Sequence, residues 1–80
     1  DIMNVYYSKL GNPEYLVFFD EEGKREKYNV FEYDENNNKS EEIRFNADST
    51  LLNGILYKYD DENRIVNQLN YNNNGKIVKN

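Results

Sequence analysis

Apolar residues recur at odd positions over most of the chain: Val5, Tyr7, Tyr15, Val17, Phe19, Phe31, Tyr33, Ile43, Phe45, Leu51, Ile55, Tyr57, Tyr59, Ile65, Leu69, Tyr71 and Ile77. A period of two is the spacing of β-strands with one buried side, and no segment shows the 3.6-residue period of a helix. An aromatic residue followed by Asp, Asn or Ser marks a second rhythm. It falls at Tyr7-Ser8, Phe19-Asp20, Tyr33-Asp34, Phe45-Asn46, Tyr59-Asp60 and Tyr71-Asn72, with spacings of 12, 14, 12, 14 and 12 residues. The super-repeat is therefore 26 residues long. Shifting by that period lays Val30-Phe31-Glu32-Tyr33-Asp34 on Leu56-Tyr57-Lys58-Tyr59-Asp60.

Four residues after each aromatic stands Gly11, Gly23, Asn37, Ser49, Asn63 or Gly75. Gly and Asn are the residues that best tolerate positive φ, as a three-residue hairpin loop closed by a bulge requires. Loops are predicted at 9–11, 21–23, 35–37, 47–49, 61–63 and 73–75, with Ser49 the weakest choice among the six. The Asp or Asn after the aromatic can bond amides further along the turn. Strands are then predicted at 2–8, 13–20, 24–34, 38–46, 50–60, 64–72 and 76–79. The fold class is all-β: an antiparallel up-and-down meander of about seven strands in one domain spanning 1–80, as a single curled sheet or a partly open barrel. A three-residue loop pairs residues of equal parity, Tyr59 with Ile65 and Tyr71 with Ile77, so one face should carry the odd numbers throughout. A flat sheet would leave that aromatic face wet. It should curl on itself, meet a second copy, or lie under a neighbouring segment. The even face is predicted to hold the charges, with an apolar patch at Tyr6, Leu16, Phe18, Tyr28 and Val30 as the candidate binding surface.

Composition narrows the chemistry. The chain has no Cys, His or Trp, which excludes disulfides, thiolate or imidazole metal sites and histidine-dependent catalysis. Its net charge of -5 argues against nucleic acid as a partner. No run of apolar residues is long enough for a membrane-spanning helix. The chain opens on Asp1-Ile2-Met3, which predicts a segment of something longer. Eighty residues could bury roughly 60–65 % of their unfolded surface, too little for a large enclosed active site.

Glu41-Glu42, Asp60-Asp61 and Asp20-Glu21-Glu22 offer carboxylates for glycoside hydrolysis, but solvated turn and strand charges account for them. Asp34 to Asn38 alternates oxygen donors as a calcium loop does, yet lacks its Gly and distal Glu, so a side-chain-closed turn is the better reading. No catalytic residue, cofactor site or metal site is predicted. Eight Tyr and four Phe raise carbohydrate stacking as an alternative, with Tyr6, Phe18 and Tyr28 as the rings lying off the odd face.

Phe31-Glu32-Tyr33-Asp34-Glu35-Asn36-Asn37 and Tyr57-Lys58-Tyr59-Asp60-Asp61-Glu62-Asn63-Arg64-Ile65 resemble the tyrosine–aspartate (YD) repeats of bacterial Rhs-type shells. Tyr71-Asn72-Asn73-Asn74-Gly75-Lys76-Ile77 looks like an Asn-substituted copy, and the whole is also similar to secreted or lipoprotein repeat proteins of gut bacteria. The resemblance covers the chain from about residue 15. It implies β-hairpin repeats, an extracytoplasmic location (secreted, periplasmic or cell-surface) and a structural or carbohydrate-associated role, and it carries over no catalytic residue. The expected function is a non-enzymatic β-repeat module with a structural or protein-interaction role. Its partner would be a protein or a second copy, met through a sheet edge or the even face; the alternative is a carbohydrate-binding module.

Overall fold

The structure is a computed structural model and describes residues 2–78. Seven strands follow one another: β1 (Ile2–Tyr7), β2 (Pro13–Phe19), β3 (Arg25–Tyr33), β4 (Lys39–Asn46), β5 (Leu51–Tyr59), β6 (Ile65–Tyr71) and β7 (Ile77–Val78). They form one antiparallel sheet in sequence order, and β1 and β7 do not meet. The expected meander is thus present as an open sheet that does not close into a barrel. The expected last strand reaches Lys79, which lies outside the described residues.

All six turns fall where the sequence places them. Gly11, Gly23, Asn37, Ser49, Asn63 and Gly75 adopt positive φ between 63° and 86°. In each, the amide of that residue donates to the carbonyl three residues earlier, as Gly23 N to Asp20 O at 3.1 Å and Asn63 N to Asp60 O at 3.0 Å. Side chains complete the closure. The Asp34 carboxylate accepts from the amides of Asn36 and Asn38, both at 2.9 Å. Asp20, Asp60 and Asn72 do the same in their turns. Asp34 is therefore spent on its own turn, as the sequence reading of that loop expects.

The single odd face does not form. Tyr59 pairs with Ile65 and Tyr71 with Ile77 as expected, but one step from the turn the register shifts. Lys58 pairs with Asn67, skipping Val66, and the same shift skips Glu14, Glu26, Ser40 and Leu52 in the four earlier hairpins. Each such bulge adds one residue to one strand, so beyond it partners have opposite parity. Cross-strand partners share a face. One face therefore carries odd residues of β2, β4 and β6 and even residues of β3 and β5: Val17 with Tyr28, Val30 with Ile43, and Leu56 with Leu69. The opposite face pairs Leu16 with Asn29, Phe31 with Glu42, and Tyr57 with Gln68.

Both faces are mixed, and neither is covered. No apolar side chain is buried among the described residues. The Cα trace measures 45 × 32 × 16 Å, a single layer. Its accessible surface is 5923 Å², against roughly 5100 Å² for an average folded chain of this mass.

Candidate functional site

On the first face the aromatic rings are held by one another and by charge. Tyr28 stacks on Phe45 with centroids 5.0 Å apart and an interplanar angle of 19°, and the Arg25 guanidinium lies 4.8 Å from the Tyr28 centroid. The Tyr28 hydroxyl bonds Ser49 Oγ at 2.7 Å. One period later the partners of Tyr28 and Phe45 become Gly54 and Tyr71, and the Tyr71 ring covers Gly54, occupying the space a Cβ there would need. The Tyr71 hydroxyl donates to the Glu41 carboxylate at 2.7 Å. Burial and that carboxylate push the Tyr71 hydroxyl well above its ordinary pKa.

On the second face a charge cluster occupies the middle of the sheet. Glu42 is only 9 % exposed; it accepts from Lys39 Nζ at 2.9 Å and from Arg44 at 2.5 and 3.0 Å. Burial alone would raise its carboxyl, but the bonds from Lys39 and Arg44 outweigh that and hold it below the ordinary carboxylate range. Lys39 lies 5.3 Å from the Phe31 centroid and 5.0 Å from that of Tyr57, a cation between two rings. Burial would lower the Lys39 ammonium, and the Glu42 carboxylate raises it above its usual value. Glu41 and Glu42 thus leave the solvated role expected of them. They point to opposite faces, each already engaged, so they do not act as a hydrolytic pair.

The candidate surface Tyr6, Leu16, Phe18, Tyr28 and Val30 is split by the bulges. Tyr6, Tyr28 and Val30 lie on the first face, and Leu16 and Phe18 on the second, with Lys27 5.0 Å from the Phe18 centroid. The three stacking candidates Tyr6, Phe18 and Tyr28 do not share a face. Among the described residues no group of three or more carboxylates is placed to hold a metal ion.

A ladder running across the strands was not read from the sequence. Tyr33 Oη donates to the Pro13 carbonyl at 2.7 Å, and Tyr59 Oη donates to the Lys39 carbonyl at 2.7 Å, one 26-residue period apart. Alongside it Asn12 Nδ2 bonds Asn37 Oδ1, and one period later Asn38 Nδ2 bonds Asn63 Oδ1 at 2.8 Å. Tyr7, Tyr33 and Tyr59 are the visible signal: they stand one period apart in the sequence.

Comparison with known proteins finds nothing. No family model, curated protein or solved structure matches the chain. The site therefore rests on its own geometry: a one-layer repeat sheet with two uncovered apolar-aromatic faces and bonds that recur with the repeat.

Proposed function

We propose that the chain is an extracytoplasmic β-repeat module that acts by assembly or protein contact, with no turnover chemistry. The observation that carries this reading is the bare sheet. Seven strands bury no apolar side chain among the described residues, so both faces keep apolar surface that another surface can cover. The polar side chains that stand out in sequence are engaged in turns, in the Lys39–Glu42–Arg44 cluster or under Tyr71, which suits a scaffold better than a reaction site. The location follows from the likeness to YD repeats of bacterial shells and secreted repeat proteins.

A carbohydrate-binding role is the competing reading, and one experiment separates the two. The dilute chain is titrated with a glycan panel, followed by tyrosine fluorescence and amide NMR shifts, and in parallel with an apolar dye. The assembly reading expects dye binding and no saturable glycan shift. Saturable shifts around Tyr6 and Tyr28, or around Phe18, would replace it with carbohydrate recognition.

A further inference from the structure

The sheet leaves two stretches of strand backbone without a neighbour. One is the outer side of β1. The other is the outer side of β6 over Ile65–Leu69, because β7 pairs only with Asn70 and Tyr71. Neither β1 nor β6 carries an Asp, Glu, Lys or Arg, whereas β2, β3, β4 and β5 each carry at least one. Sheets normally guard their open edges with charge, and here the charges sit on the interior strands instead. Met3, Tyr6, Tyr7, Ile65 and Val66 are all about half exposed or more.

The tyrosine ladder says which edge fits which. Tyr33 and Tyr59, ending odd-numbered strands, each reach the carbonyl of the first residue of the even-numbered strand before them. Tyr7 holds the same place one period earlier, and its hydroxyl meets no partner among the described residues. Ile65 holds the acceptor's place one period after Lys39, and no described strand lies beyond it. The donor without an acceptor and the acceptor without a donor lie on the two uncharged edges.

We infer that β1 of one copy docks antiparallel on the free stretch of β6 of a second copy, end to end with its β7, with Tyr7 Oη donating to the Ile65 carbonyl across the junction. The inference rests on the assembly reading above and names its partner as the chain itself. The register is that of β2 on β3, where Leu16 faces Asn29 and Tyr15 faces Val30. Carried along by the repeat, it sets Met3 opposite Gln68 and Asn4 opposite Asn67. Such a contact joins two different surfaces, so every added copy offers a fresh edge and association does not stop at a dimer.

Light scattering and sedimentation over a wide concentration range test this. The wild-type mass is expected to rise with concentration beyond that of a dimer. Met3→Lys spoils the β1 edge and Val66→Lys the β6 edge, both at exposed positions. Each variant alone should stay monomeric with an unchanged far-UV spectrum, and their mixture should stop at a heterodimer, since each keeps one sound edge. Tyr7→Phe should weaken wild-type association about two- to tenfold, the worth of one hydrogen bond. A wild-type chain that stays monomeric throughout would overturn the inference, and so would dimerisation of Val66→Lys alone, which would mean β1 pairing with β1. A monomer that still binds apolar dye and ignores glycans would end this inference while leaving the module reading intact.

Discussion

At the scale of single residues, Gly54 and Glu42 carry the most specific constraints. Gly54 is buried because the Tyr71 ring lies on it, so even one methyl group must displace the ring and its bond to Glu41. Gly54→Ala is expected to lower stability by about 1–3 kcal/mol, the usual cost of overpacking. Tyr71→Phe, which removes only the hydroxyl, should cost about 1 kcal/mol. Urea midpoints of the two variants check this, and a neutral Gly54→Ala would mean the ring is not seated. Glu42 makes a pH prediction. Its folded pKa lies below the ordinary value of 4.5, so its contribution is full at neutral pH and is lost as pH falls through the folded value. The stability gap between wild type and Glu42→Gln, measured by urea unfolding, should therefore be widest near neutrality and narrow in acid. A gap that grows on acidification would contradict the pairing with Lys39 and Arg44. Nothing in the sequence separated Glu42 from the other thirteen acidic side chains outside its neighbour Glu41. Its role depends on which strand stands opposite, and that was hidden.

At the scale of hairpins, the turns were legible and the faces were not. Positive φ demands a residue type, so Gly11, Gly23 and Gly75, and Asn37 and Asn63, announce themselves, and even Ser49 was placed by rhythm alone. The bulge that follows each of the first five turns demands none: Glu14, Glu26, Ser40, Leu52 and Val66 have nothing in common. One unmarked residue per hairpin was enough to exchange the faces and divide the candidate surface. Ser49 supplies the prediction at this scale. It holds φ 69°, where a side chain other than Gly or Asn is strained, and it gives up only an exposed bond from Tyr28 when replaced. Ser49→Gly should stabilise by up to about 1 kcal/mol, and Gly23→Val should destabilise by more than about 1 kcal/mol. Thermal melts of both decide it; a destabilising Ser49→Gly would show that the Tyr28 bond matters more than the backbone.

At the scale of the whole molecule, the sequence conveyed the strand count and order but not the openness of the sheet, because alternation records which positions prefer burial and not what covers them. A single layer exposes little new surface when it unfolds. The urea dependence of its stability should accordingly be shallow, about 1 kcal/mol/M or less, at the low end for small domains. Equilibrium unfolding of the dilute monomer measures it, and a steep slope would mean that a core forms in solution. The same layering has a consequence for the order of events in folding. No two strands touch unless they are neighbours in the chain. Every contact can form hairpin by hairpin, without a long loop to close first, so refolding belongs at the fast end for all-β proteins. Opening should be graded in the same way, with amides of β7 and β1 exchanging first and those of β3 and β4 last, a zipper that frays from both ends toward its middle.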